Sequence, residues 1–150
     1  MGKVIFIHAK CSTEERFVSA TAIQEVCSQA IKNISYIAPF NQIEPSKLNS
    51  WDKKWSALGV SGEVKRIVIN KSSIQNSVDI WNDIVKKIND PRFEKEVWIL
   101  LGRTLSKSKF KKKLKNENDH KIALQASIIL LQTHHTVLSV GAKLKVFCGK

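Results

Sequence analysis

The stretch "EVWILLG", Glu96 to Gly102, decides the fold. Five apolar residues run without a break and a glycine closes them. Such a run is too short for a helix of ordinary length and too apolar for a half-exposed strand. It reads as a strand covered on both faces, the kind found at the centre of a parallel sheet. "KVIFIH", Lys3 to His8, is a second strand of similar character. "ISYIAPF", Ile34 to Phe40, alternates enough to be a strand ended by Pro39, and "VKRIVIN", Val64 to Asn70, is a further one. "KLKVF", Lys143 to Phe147, carries alternating lysines that suit an exposed edge.

Helical spacing fills the intervals. Ser12 and Glu15 have capping-box spacing, and Ala20, Ile23, Cys27, Ala30 and Ile31 then share one helix face, ending near Asn33. Leu48, Trp51, Trp55 and Leu58 predict a helix over Lys47 to Leu58, closed by Gly59 and Gly62. Trp81, Ile84, Val85 and Ile88 form the stripe of another, capped by Asn76 or Ser77 and ended at Asp90-Pro91. Ile122 to Leu131 is almost continuously apolar, a buried helix extending toward Leu138 and stopped by Gly141. Strand and helix alternate from end to end. The expected fold is α/β: a five-stranded, mostly parallel sheet with helices on both faces, flavodoxin-like or Rossmann-like, in the order 2-1-3-4-5. The 150 residues fit a single domain, 1–150, with a core of ordinary size.

Charge limits the function classes. Lys and Arg number 25 against 13 Asp and Glu, a formal net charge of +12. An excess of that size implies a nucleic acid or another polyanion as partner. No apolar run reaches the length of a membrane span, and no signal peptide precedes the first strand, so a cytoplasmic protein with no membrane partner is expected. Cys11, Cys27 and Cys148 are too few and too far apart for a disulfide framework or a zinc site, and the adjacent His134 and His135 cannot share a metal. No metal is expected. No G-x-G-x-x-G or P-loop pattern follows a strand, so no cofactor is expected either.

In an open parallel sheet, ligands sit beyond the carboxyl ends of the strands. The residues expected there are His8, Lys10, Cys11 and Ser12 after the first strand, Asn70, Lys71, Ser72 and Ser73 after the third, and Gly102, Arg103 and Thr104 after the fourth. Each group holds a cation and a hydroxyl and leads into a helix, whose free amides favour an anion. Lys10, Ser12, Asn70, Lys71, Arg103 and Thr104 are therefore the candidate anion ligands. His8 is a candidate catalytic base.

Beyond Thr104 lies the most biased segment. Arg103, Lys107, Lys109, Lys111, Lys112, Lys113, Lys115 and Lys121 fall within nineteen residues, opposed only by Glu117 and Asp119. Phe110 and Leu114 are four apart, which predicts a short amphipathic helix with lysines on its wet side. Lys107, Lys109, Lys111, Lys112, Lys113 and Lys115 are the expected nucleic-acid contacts. They would neutralise phosphates without reading bases.

The opening stretch resembles box one of TIR domains, in which a strand ending in Phe-Ile-Ser-His and small residues meets an acidic helix start and Phe-Val. Here these are Phe6-Ile7-His8-Ala9, Ser12 to Glu15, and Phe17-Val18. Arg66 to Trp81 is similar to the family's third strand with the serine and tryptophan that follow it. The resemblance implies the flavodoxin-like order and a signalling domain or a nucleotide (NAD)-acting enzyme. NAD-cleaving members carry a glutamate in the helix after strand three. Here Ser72 to Asp90 holds only Asp79, Asp83 and Asp90, which leaves Asp83 as the catalytic candidate. A third alternative is an interaction subunit for an acidic protein partner. The sequence therefore leaves it uncertain whether the protein is an enzyme.

Overall fold

The computed structural model describes residues 2–10, 18–40, 43–55, 64–67, 76–116 and 120–149. Its strands are β1 (Gly2–Ala9), β2 (Lys54–Trp55), β3 (Val64–Lys65), β4 (Phe93–Ser106) and β5 (Lys143–Gly149). Its helices are α1 (Ala20–Lys32), α2 (Ser77–Asn89), α3 (Lys107–Leu114) and α4 (His120–Ser139), with 3-10 turns at Ile34–Tyr36 and Leu48–Ser50.

The apolar run at Glu96 to Gly102 is the middle of β4, and β4 is the central strand. The sheet order is β1-β4-β5, with both pairings parallel. Val97, Ile99 and Leu101 point from β4 into the main core, where Ile23, Val26, Cys27 and Ala30 of α1 meet Ala126 and Val137 of α4. Ser19 caps α1, its hydroxyl accepting from the Ala22 amide at 3.3 Å. The proposed Ser12–Glu15 capping box lies outside the described residues. α2 begins where expected: the Asn76 side chain accepts from the Asp79 amide at 2.9 Å. α4 ends as the glycine demands. Gly141 has φ +71°, and the amides of Gly141 and Ala142 return to the carbonyls of Leu138 and Val137, a Schellman closure.

The five-stranded sheet is corrected. Among the described residues the parallel sheet has three strands, and β2 and β3 form a separate antiparallel ladder pairing Lys54 with Lys65 and Trp55 with Val64. Residues 68–70 of the strand expected at Val64 to Asn70 lie outside the described ones. The order 2-1-3-4-5 fails as well, because β1 lies directly against β4. The physical reason is clearest at Ile34 to Phe40. The amides of Tyr36, Ile37 and Ala38 bond back to the carbonyls of Asn33, Ile34 and Ser35, so this backbone is satisfied locally and has no ladder to join. Ile37 is buried as a plug and the Tyr36 ring meets Trp81 edge-on at 5.9 Å. The alternation there reflects packing of a tight turn.

The helix expected over Lys47 to Leu58 is likewise only the turn Leu48–Ser50 followed by β2, and residues 56–58 lie outside the described ones. Ser50 donates to the Lys47 carbonyl, a local bond that competes with helix propagation. Asp52 accepts from both the amide and the hydroxyl of Ser77, at 2.9 and 2.7 Å, and ties this segment to the start of α2.

The last correction concerns α4, read as buried. Ala123, Ala126, Thr133 and Val137 are buried, but Leu124, Ile128, Leu131 and Leu138 are about half exposed. α1, α3 and β5 pack against α4. Among the described residues, nothing fully covers the side bearing these four.

Candidate functional site

All three strands of the sheet point the same way; Lys10 follows the end of β1, and Arg103 lies in the part of β4 that runs on past the end of β1. Lys10 continues the ladder, its amide donating to the Leu100 carbonyl at 3.0 Å, and its ammonium is ion-paired with Glu25 of α1. Arg103 is exposed on a bulge that interrupts the β4–β5 register between Leu100 and Ser106. Gly102 makes that bulge possible with φ +47°, a left-handed conformation costly for a residue with a side chain. Thr104, expected to bind an anion, is 1% exposed and donates its hydroxyl to the Leu101 carbonyl. It clamps the bulge from inside. Ser12, Asn70 and Lys71 lie outside the described residues. The structure therefore places Lys10 and Arg103 past the end of the β1–β4 ladder, binds one of them to a carboxylate, and turns Thr104 inward.

His8 is half-buried at the end of β1, and burial pushes its pKa below the ordinary value, favouring the neutral imidazole. Asp83 lies on α2 in an ion pair with Lys87, four residues on. No hydrogen bond joins His8 to Asp83 among the described residues.

The lysine segment is the helix α3. β4 passes into it at Ser106 with no loop between. The Ser106 hydroxyl caps it, accepting from the Lys109 amide at 3.4 Å. Phe110 packs against the main core and fixes the helix by its apolar side. Lys107, Lys109, Lys111, Lys112 and Lys115 are exposed and Lys113 is half-buried. No carboxylate occurs from Arg103 to Asn116.

Several lysines elsewhere are paired with acids, Lys10 with Glu25 and Lys87 with Asp83 among them. The sheet face opposite α1 and α4 holds the plainest case. Glu96, 1% exposed, takes Lys3 Nζ at 2.7 Å on one oxygen, with Trp98 Nε1 at 2.6 Å and Lys145 Nζ at 3.1 Å on the other. Beside it, Glu94 pairs with Lys3 at 3.2 Å and Lys143 at 2.9 Å. The hydrogen bond from Lys3, reinforced by Trp98 and Lys145, holds the Glu96 carboxyl well below its usual range, at about 2. These groups stitch both edge strands to the central one, and both carboxylates are held in ion pairs. The sequence reading missed this cluster. Its signal was present: acids at i, i+2 in Glu94 and Glu96, and lysines at i, i+2 in Lys143 and Lys145, on neighbouring strands.

A cleft of about 500 Å³ was also missed. It runs beside β1, with Tyr36, Trp51 and Trp81 among its walls. Lys3 and Lys87 at its margin are already paired to carboxylates, so it offers apolar surface with little free charge.

The chain matches no protein-family model, and no curated protein or solved structure shows significant similarity to it. The functional reading rests on geometry and charge.

Proposed function

We propose that this α/β domain binds nucleic acid, with weak sequence preference, through the lysine surface of α3 and the neighbouring Arg103. One observation carries the reading. An ordered helix, fixed by Phe110, turns Lys107, Lys111, Lys112 and Lys115 to solvent and contains no carboxylate. Lys107 and Lys111 within it, and Lys111 and the C-cap residue Lys115, are like charges at i, i+4. Each such pair opposes the helix by about 0.2–0.5 kcal/mol. A polymer of phosphates removes that repulsion and releases its own counterions as it binds. Lysine ammoniums act as point charges and do not distinguish bases, hence the weak preference. The proposed setting is the cytoplasm, where Cys27 and Cys148 remain free thiols. Among the described residues no helix is long and apolar enough to cross a membrane.

The test is fluorescence anisotropy on single- and double-stranded DNA and RNA across a salt series. Affinity is expected to fall linearly on a log–log plot, by about 0.9 in slope per phosphate neutralised on duplex. Substituting Lys107→Gln, Lys111→Gln and Lys115→Gln together is expected to flatten that slope by about 3, with the melting temperature preserved. No binding at about 50 mM salt, or a slope the triple variant leaves unchanged, overturns the proposal. The same experiment separates the other readings. A nucleotide-acting domain similar to TIR domains would instead be stabilised by NAD and lose turnover in Asp83→Ala. An interaction subunit would bind an acidic protein through α3 and ignore oligonucleotides.

A further inference from the structure

We infer that the partner of the lysine helix is double-stranded DNA, with α3 seated in the major groove and one phosphate backbone along each of its flanks. The inference rests on the reading of α3 as a nucleic-acid surface and narrows that reading to one form.

The placement of the cations around the helix axis carries it. Successive residues of an α-helix turn by about 100°. Phe110 and Lys113 are the half-buried residues of α3, and they mark the side that packs on the molecule, with Phe110 against the main core. Opposite them, on the outermost line of the helix, stand Ser108 and Lys115, both exposed. A pair of exposed lysines lies on each side of that line. Lys107 and Lys111 share one flank, and Lys109 and Lys112 share the other. The centres of the two pairs are about 150° apart around the axis. A single strand follows one line and meets one flank. Two backbones bounding a groove meet both.

The width of the groove selects the duplex. A helix with its side chains is about 10–12 Å across, and the major groove of B-form DNA is about 12 Å wide. The major groove of an A-form RNA duplex is deep and too narrow to admit side chains. In the B-form groove each lysine pair lies against the nearer backbone, and only the short Ser108 hydroxyl and the Lys115 ammonium face the bases. Such a front reads little sequence.

Charge counting agrees. From Lys107 to Lys115 the helix rises about 12 Å. Over that length a duplex presents about seven phosphates, and one stacked strand about three or four. The five exposed lysines in the span exceed what one strand can neutralise and fall within what a duplex offers. The array also lacks the rings on which unpaired bases are stacked by single-strand binders. From Arg103 to Lys121 the only phenylalanine, tyrosine or tryptophan is Phe110, and its ring is committed to the core.

Fluorescence anisotropy on the full chain tests this with three probes at about 100 mM salt: a duplex DNA of roughly 20 base pairs, a duplex RNA of the same sequence, and an oligothymidylate of equal length. The duplex DNA is expected to bind at least about 10-fold more tightly than either of the others. The flanks are then tested separately. Lys107→Gln with Lys111→Gln, and Lys109→Gln with Lys112→Gln, are each expected to flatten the duplex salt slope by about 2, with the melting temperature preserved. Oligothymidylate or duplex RNA binding as tightly as duplex DNA overturns the inference and leaves the broader reading of α3 standing. A duplex slope unchanged by either pair of substitutions overturns the seating between two backbones. No binding to any of the three probes overturns the broader reading, and this inference with it.

Discussion

The two faces of β4 hold the same strand in place by different forces. On one, Val97, Ile99 and Leu101 disappear into a dry layer with α1 and α4. On the other, Glu94 and Glu96 are gripped by Lys3, Lys143 and Lys145, with Trp98 donating to Glu96 and meeting the Phe147 ring at a tilt, 5.0 Å between centroids. The first face depends on excluded water and close packing, which are indifferent to pH. The second depends on carboxylates remaining ionised. A central strand can thus be covered on both sides without being apolar on both, provided its neighbours bring the matching charges.

Substitutions on each face sharpen the contrast. The largest effect is expected from Ile99→Ala, at a position with no exposed surface: a loss of about 2–5 kcal/mol by urea denaturation, the same at pH 7 and pH 4. A loss that shrinks at the lower pH would break the comparison. Glu96→Gln is expected to destabilise less at pH 7 and to change the acid profile. The folded state holds Glu96 at about 2 against an ordinary 4.5, so its contribution is complete above pH 4.5 and fades as pH falls toward 2. The gap between wild type and Glu96→Gln should therefore close over that interval, and parallel curves would show that the carboxylate contributes nothing through its charge. Ser19→Ala, which removes the α1 cap on the dry side, is expected to cost about 1 kcal/mol with no pH dependence. Lys143→Ala should matter least, since that lysine is 65% exposed and its pair with Glu94 is open to water and salt.

The same two faces explain what could be read from the sequence. The apolar side announces itself. The runs at Lys3 to His8 and Glu96 to Gly102, the stripe from Ala20 to Ala30, and the glycine at 141 all fall where expected, because burial against water imposes a period on the chain. The lysine helix was legible for a related reason: Phe110 and Leu114 four apart leave the lysines only one side to occupy. The segment from Ile34 to Lys65 was not legible. Its apolar residues, Ile37, Leu48, Trp51 and Trp55, are spaced like strand or helix. Local bonds at Asn33, Ser35 and Ser50 hold the first two stretches in tight turns instead. Periodicity reports which side is buried, and it is silent where the backbone is satisfied within its own turn. Thr104 shows a similar effect at the rim: it reads as a polar strand-end residue, but its hydroxyl is used by the carbonyl three residues before it. The outer side of α4 was hidden differently. A continuous apolar run cannot tell a helix buried within its own chain from one whose second side is left uncovered.

The junction at Ser106 has a consequence of its own. Because β4 turns directly into α3 and Phe110 is seated in the core, the lysine array cannot swing independently of the sheet. A basic tail on a flexible tether must surrender backbone freedom each time it engages a target, at about 1–2 kcal/mol per residue ordered. Here that entropy is lost once, during folding. The array behaves as a rigid comb, so any polymer lying along it is held at one fixed angle to the rest of the molecule.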